Sequence, residues 1–177
     1  MKTLVIHPSD PSTDMLKAIY GGKEWTVVDD NHIPKSQLKE LIKEHDRIIM
    51  LGHGTSYGLV NGTKDRFLID STLVYLLRDK YCVCIWCNAD EFVTRYELEG
   101  FYTGMIISED IEANMFNVNA TTDEIASSNT IFSEACRLAV EADAKDMVKI
   151  VTENYVGVGE VFDFNRARIY HTGIIEN

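Results

Sequence analysis

The stretch Arg47-Ile-Ile-Met-Leu-Gly-His-Gly54 indicates the fold class. Its apolar residues run without interruption, as they do in a strand at the centre of a parallel sheet whose two faces are both covered. The run then ends in a glycine-histidine-glycine turn. A second apolar run, Cys82-Val-Cys-Ile-Trp86, has the same character and leads directly to Cys87. Two strands of this kind predict a parallel sheet with reactive side chains at one edge.

Short strands and amphipathic helices alternate around these two runs. We predict strands at residues 3–7, 25–28, 47–51 and 82–86, with helices at residues 14–20, 34–45 and 71–80 between them. Such βαβ repetition requires right-handed crossovers between parallel strands. It predicts an α/β protein, a three-layer α/β/α sandwich with a mostly parallel sheet in a Rossmann-like layout.

The second half of the chain is predicted to complete the same domain. We expect a helix at residues 91–98, a strand at 105–107, helices at 123–142 and 144–155, and an edge strand near 168–170. No repeat, low-complexity tract or Pro/Gly/Ser-rich linker divides the sequence, and 177 residues is an ordinary size for one domain. The prediction is therefore a single domain spanning residues 1–177.

The charge balance restricts the partners. Lys and Arg number 17 against 28 Asp and Glu, which gives a net charge of −11 at pH 7. An acidic surface repels phosphate backbones, so we expect no nucleic-acid partner and favour a basic ligand or peptide. The first apolar run, Leu4-Val5-Ile6, is too short for a secretion signal or a membrane span. We expect a cytoplasmic protein with no membrane partner.

The cysteines are expected to be reduced thiols, as is usual in the cytoplasm. Cys82, Cys84 and Cys87 form a C-x-C-x-x-C pattern, and Cys136 stands alone in a predicted helix. Alternation along a strand sends Cys82 and Cys84 to one face of the sheet and Cys87 to the other. We therefore expect no metal site.

The loop after the first strand, His7-Pro-Ser-Asp-Pro-Ser-Thr13, joins a strand to a helix as phosphate-binding loops do. It lacks the glycines of a dinucleotide or P-loop fingerprint. We interpret its hydroxyls as helix-capping groups and expect no cofactor.

His53 and Cys87 fall where α/β sheets bind their ligands, outside the carboxyl ends of the strands. If the two strands are neighbours, both side chains share one rim, as a cysteine nucleophile and its histidine partner would. An imidazolium lowers the pKa of a nearby thiol, and the imidazole then supplies a proton to the departing amine. In this interpretation the amides of Gly54 and Cys87 hold the developing oxyanion.

An apolar strand ending in Gly52-His53-Gly54, followed by one ending in Cys87-Asn88-Ala89, resembles the caspase-like peptidases of clan CD. This group includes caspases, metacaspases, legumains, gingipains and CHAT peptidases. The resemblance implies a caspase-like fold and matches His53 and Cys87 to the catalytic dyad. The chain departs from the family pattern by carrying Ile85-Trp86 before the cysteine and Asp90 where a glycine is common. The whole chain also resembles small bacterial proteins, which implies no function.

Acidic residues near the same rim suggest a substrate class. Family members that cleave after Arg or Lys use acidic residues to bind that side chain, so the resemblance implies substrate-binding roles for four carboxylates: Asp90, Glu109, Asp110 and Glu112. The substrate would be a basic peptide or protein. In the alternative interpretation these carboxylates start a helix and interact with its dipole.

Three functions follow from these residues. The first is a cysteine peptidase-like hydrolase that uses the His53 and Cys87 dyad and cleaves after basic residues. The second is a glutamine-amidotransferase-like cysteine hydrolase, in which the partner histidine comes after the cysteine, a position that His171 alone occupies here. The third is a catalytically inactive caspase-like binding module.

Overall fold

The protein is described by a computed structural model that covers residues 1–172. Its strands, in chain order, are β1 Thr3–Ile6, β2 Thr26–Val28, β3 Arg47–Leu51, β4 Gly54–Thr55, β5 Gly58–Val60, β6 Phe67–Ile69, β7 Tyr81–Ile85, β8 Glu99–Thr103 and β9 Ile169–Thr172. Six of them form one sheet in the order β2-β1-β3-β7-β8-β9. All neighbours in it are parallel except β8 and β9. The structure thereby confirms the α/β class and the mostly parallel sheet.

Helices connect the strands of the main sheet. They are a 3-10 helix at Pro11–Ile19, then α1 Lys35–Glu44, α2 Val74–Leu77, α3 Ala89–Tyr96, α4 Asp110–Met115, α5 Thr122–Ala139, α6 Ala144–Asn154 and α7 Glu160–Arg166. None of the helices in residues 1–172 is both long enough and apolar enough to cross a membrane.

The sheet separates two apolar cores, as the three-layer prediction requires. One contains Ile49, Leu51, Val83 and Ile85 together with side chains of the 3-10 helix, α5, α6 and α7. The other contains the alternate strand residues, such as Met50 and Cys84 on β3 and β7, packed against α1, α2 and α3. Because side chains alternate along a strand, each apolar run serves both cores, and this accounts for its lack of polar residues.

A small antiparallel sheet of β4, β5 and β6 follows β3 directly. This sheet was not among the predicted elements. Its strands have two or three residues, and the pairing shifts register between Leu59 and Val60, which leaves no regular alternation to detect. The small sheet begins immediately after His53 and fixes the direction of the chain beyond the end of β3.

The strand predicted at residues 105–107 is wrong, because the fifth parallel strand is β8 at Glu99–Thr103. Ile107 is buried, but its amide donates to Asn165 Oδ1 and its carbonyl accepts from Asn165 Nδ2, so a side chain takes the place of a partner strand. Gly100 allows β8 to pair, since a Cβ at this position would lie 1.7 Å from the carbonyl oxygen of Cys82.

Two helix predictions also differ from the structure. The helix predicted at 71–80 is reduced to α2, because Asp70 accepts hydrogen bonds from the amide and hydroxyl of Thr72 and forms a turn in place of the first helical turn. The helix predicted at 14–20 begins earlier, at Pro11, as a 3-10 helix capped by Asp10. The predicted edge strand near 168–170 is present as β9.

Candidate functional site

The pairing of β3 with β7 places His53 beside Cys87. Leu51 and Ile85 are register partners at the ends of these strands, and each candidate residue follows its strand's last residue by two positions. The amide of Gly52 donates to the carbonyl of Ile85 at 3.1 Å, so the pairing continues past the ends of the strands. Neighbouring strands lie about 4.8 Å apart. The two side chains therefore leave the same edge of the sheet next to each other.

Both side chains also extend the same face of the sheet. Leu51 and Ile85 belong to the core covered by the 3-10 helix and α5, and alternation returns His53 and Cys87 to that side. A pocket of about 40 Å³ opens there, with room for about three water molecules. Its walls combine the strand ends with the helices above them: Thr13, Met15, Leu16, Gly52, His53, Ile85, Trp86, Cys87, Thr103, Ile106, Ser108, Asn129, Phe132 and Asn165.

His53 is held by Asp10, in the loop that follows β1, and by Ser12, in the first turn of the 3-10 helix. Its Nε2 atom lies 2.7 Å from the Ser12 hydroxyl and 3.6 Å from Asp10 Oδ2. The Ser12 hydroxyl in turn lies 2.8 Å from Asp10 Oδ1. A hydroxyl has a single proton, and the carboxylate can only accept, so Ser12 donates to Asp10 and accepts from the N–H at His53 Nε2. In the neutral ring, the tautomer that makes this bond has its lone pair on Nδ1.

Asp10 is suited to this role because it remains ionised. Partial burial acts to raise the pKa of Asp10, but hydrogen bonds from the Ser12 amide and hydroxyl outweigh it and lower the pKa below its ordinary value. The same carboxylate caps the 3-10 helix by accepting from the Ser12 amide at 2.9 Å. The cap therefore fixes the group that orients the imidazole.

A buried histidine, His7, links β1 to the 3-10 helix. His7 directly follows β1 and contacts Tyr20 Oη at 2.9 Å and Thr13 Oγ1 at 3.1 Å through its two ring nitrogens. Burial is the main cause that lowers the pKa of His7 to about 4, with Lys17 as a further cause, so the ring is neutral near pH 7. These bonds tie β1 to the 3-10 helix on both sides of Asp10 and Ser12.

The backbone of Ile106 and the carboxylate of Glu112 cover Cys87. Its Sγ atom is 3.6 Å from the carbonyl oxygen of Ile106 and 3.8 Å from Glu112 Oε1. Burial raises the pKa of the Cys87 thiol to about 12, and the Glu112 carboxylate adds to the increase. The resting side chain is thus a neutral thiol, and in the described residues it makes no hydrogen bond to His53.

The segment that covers Cys87 is fixed by two asparagines. Asn165 of α7 makes paired hydrogen bonds with the amide and carbonyl of Ile107, at 2.7 and 2.9 Å. Asn129 of α5 donates to the carbonyl of Ser108 at 2.9 Å. Because both asparagines also line the pocket, the loop between β8 and α4 is part of the site wall and is anchored on two helices.

Gly54 provides close packing and a main-chain donor. A Cβ at this position would lie 2.1 Å from Trp86 Cδ1, so the indole packs directly on the glycine backbone. The amide of Val60 donates to the carbonyl of His53, which makes these two residues a hydrogen-bonded pair in the antiparallel ladder. The next pair, Gly54 with Leu59, is then a non-hydrogen-bonded pair, and the Gly54 amide points away from β5.

The four acidic residues occupy different places. Glu112 reaches Cys87, whereas Asp110 accepts from the Thr122 hydroxyl at 3.0 Å and Glu109 caps α4. Asp90 lies in the first turn of α3, where it lines a separate open depression with Glu91, Thr94 and Arg95. The structure therefore brings one of the four carboxylates into contact with the candidate nucleophile.

His171 and the other strand cysteines lie away from the pocket. His171 pairs with Phe101 in the middle of β8, two strands from the end of β7. Cys82 and Cys84 are buried in the opposite core. Within residues 1–172 no group of three or more His, Cys, Asp or Glu side chains is arranged to hold a metal ion.

The roles of Asp10 and Ser12 at His53 were not predicted from the sequence. The loop hydroxyls were interpreted as helix-capping groups, whereas the capping group is the Asp10 carboxylate, and the hydrogen bond between Ser12 and His53 joins residues 41 positions apart. A usable signal existed, because in a sheet of order β2-β1-β3 the crevice between β1 and β3 is the switch point where doubly wound folds bind ligands. The loops after these two strands carry Ser12 and His53.

The fold of this chain is similar to that of solved structures. No protein-family model and no curated protein matches the chain. It is similar to a solved structure from P. pentosaceus described as an NADPH-quinone reductase, at 14% sequence identity and a TM-score of 0.35, over 90% of this chain and 100% of that chain. A TM-score of that size carries no argument about function. The fold class therefore rests on the sheet topology and on the helices that cover its two faces.

Proposed function

We propose that this protein is a caspase-like cysteine hydrolase that cleaves peptide bonds after basic residues, with Cys87 as nucleophile and His53 as its proton-transfer partner. The observation that carries the proposal is the register of β3 and β7, which sets both residues side by side on one rim and facing one pocket. Reduced cysteines fit a cytoplasmic location.

The proton path starts from a neutral thiol. Because the N–H at Nε2 of His53 is committed to Ser12, the lone pair at Nδ1 is the site that accepts the thiol proton. The sulfur then attacks the carbonyl carbon of the substrate and forms a C–S bond. The imidazolium returns its proton to the leaving amine as the C–N bond breaks, and water hydrolyses the resulting thioester to release the acid and the free thiol.

Two main-chain amides support the developing negative charge in this proposal. The Gly54 amide is turned out of the β4–β5 ladder, and the Cys87 amide lies two residues beyond the end of β7. Fixed N–H donors at such a position stabilise an oxyanion without reorganising during the reaction. Basic side chains are favoured as substrates because the Glu112 carboxylate lies beside the nucleophile and the whole chain has a net charge of −11.

One observation favours a binding module instead. Cys87 is partly buried, burial raises the pKa of its thiol to about 12, and the pocket holds about 40 Å³. A thiol with a raised pKa supplies little of the thiolate that attacks a carbonyl, whereas a binding role needs no thiolate. The amidotransferase-like alternative has no comparable support, because His171 is paired in mid-strand and is not a lining residue of the pocket.

The experiment is covalent labelling with a peptidyl acyloxymethyl ketone that carries arginine before the reactive group. We expect labelling of the wild type at Cys87, no labelling of Cys87→Ala, and labelling of His53→Ala slowed by about a hundredfold or more. His32→Ala, which removes an exposed histidine, is the matched control and should react at the wild-type rate. Labelling of His53→Ala at the wild-type rate would refute the dyad. Absence of labelling by basic, acidic and apolar probes would favour the binding module.

A further inference from the structure

Glu112 uses its two carboxylate oxygens differently. Oε2 accepts hydrogen bonds from the Ser108 amide at 2.7 Å, the Ser108 hydroxyl at 3.1 Å and the Glu109 amide at 3.1 Å. Oε1 lies 3.8 Å from Cys87 Sγ. Three donors on one oxygen prevent the side chain from swinging away. The folded chain therefore holds the Glu112 carboxylate next to the sulfur of Cys87.

The other ionisable groups around Cys87 do not cancel this charge. His53 faces the pocket from the end of β3, and Glu109 adds a second carboxylate from the start of α4. Asn129 and Asn165, on α5 and α7, are neutral. No lysine or arginine lines the pocket in the part of the chain that the structure describes. The environment of the thiol thus favours its protonated form.

We propose that Glu112 keeps Cys87 in the thiol form in the unliganded protein, and that a cationic group of the substrate, placed beside Glu112, neutralises the carboxylate and releases the thiol for reaction. This role rests on the proposed hydrolase function. It makes selectivity for cationic substrates a property of the chemical step as well as of binding, because an uncharged substrate leaves the carboxylate free to oppose thiolate formation.

Charged thiol reagents test the electrostatic part directly. The cationic trimethylammonium-ethyl and anionic sulfonato-ethyl methanethiosulfonates both convert a thiolate to a mixed disulfide and release methanesulfinate. Each rate constant for Cys87, located by peptide mass, is divided by that for a free small thiol. We expect the wild type to react with the cation about tenfold faster than with the anion, since one pKa unit of differential interaction corresponds to a factor of ten.

Glu112→Gln should bring the ratio of the cationic to the anionic rate constant close to one. It should also raise the rate at which neutral iodoacetamide modifies Cys87 at pH 7 by about tenfold. The pH dependence of the iodoacetamide reaction should shift to lower pH. Asp110→Asn is the matched control, because it removes one negative charge from the same helix while its side chain contacts Thr122 and not Cys87. Asp110→Asn should keep the wild-type ratio.

A wild-type ratio near one overturns the proposal without any variant, so the test does not depend on the folding of Glu112→Gln. An equal loss of preference in Asp110→Asn also overturns it, because the effect would then be general surface charge. These reagents need neither turnover nor His53, so the ratio is measured on His53→Ala as well. A charge preference that persists while the peptidyl probe fails to label would refute the hydrolase function and leave the Glu112 effect standing.

Discussion

His53 Nε2 lies 2.7 Å from Ser12 Oγ, so a hydrogen bond joins the loop after β1 to the turn after β3. Ser12→Ala removes the acceptor that holds the imidazole N–H and breaks the link to Asp10. We expect this variant to react with the peptidyl probe about tenfold more slowly than the wild type, because a misplaced base loses part of its contribution to proton transfer. The measurement is the second-order rate constant of labelling.

Ser9→Ala is the matched control for this prediction. It removes an exposed hydroxyl from the same loop while leaving Ser12 in place. A labelling rate for Ser12→Ala equal to that of Ser9→Ala would show that His53 does not depend on Ser12 for its orientation.

Asn165→Ala should destabilise the fold. The substitution leaves the amide and carbonyl of Ile107 without partners in the core, and an unsatisfied buried polar group costs about 1–3 kcal/mol. We expect the free energy of unfolding, measured with urea, to fall by about 2–4 kcal/mol. Asn154→Ala removes an exposed asparagine that bonds its own helix and should change it by less than about 0.5 kcal/mol. A similarly small decrease in the free energy of unfolding for the two variants would contradict the anchoring role of Asn165.

His7 should make stability depend on pH in the acidic range. Burial lowers its pKa from 6.5 to about 4, so the unfolded chain takes up the proton before the folded chain does. The free energy of unfolding should therefore be unaffected by this group above pH 6.5 and decrease by up to about 3 kcal/mol as the pH falls to 4.

The measurement for His7 compares the free energy of unfolding of wild type and a variant as a function of pH. Wild type and His7→Gln are unfolded with urea at intervals from pH 4 to pH 8, and the gap between them should narrow as the pH falls. His32→Gln, at an exposed histidine, should run parallel to the wild type. A constant gap between wild type and His7→Gln would mean that His7 binds protons equally in both states.

The central part of the fold was predictable because its strands are unbroken apolar runs. Arg47–Leu51 was predicted at its observed bounds, and β7 was predicted within one residue at each end. The sequence predicted the adjacency of His53 and Cys87 only on the condition that the two strands are neighbours, and the pairing of β3 with β7 meets that condition. The alternation that sent Cys82 and Cys84 away from Cys87 is likewise a property of the strand itself.

Features that depend on distant contacts were not predictable. Gly100 interrupts the strand pattern of β8 and yet is what lets β8 approach Cys82, so the local pattern misled the prediction. The contact of Glu112 with Cys87 requires the loop anchored by Asn129 and Asn165, whose partners are set only in the folded chain.

Trp86 packs against the backbone of Gly54, donates its indole N–H to the carbonyl of Thr55 at 3.0 Å, and immediately precedes Cys87. The protein has one other tryptophan, Trp25, which lies beside β2 at the far edge of the sheet. The indole packed on the turn that follows His53 is consequently an intrinsic fluorophore. In a Trp25→Phe background, its emission would report changes around Cys87 and the His53 turn without an attached dye.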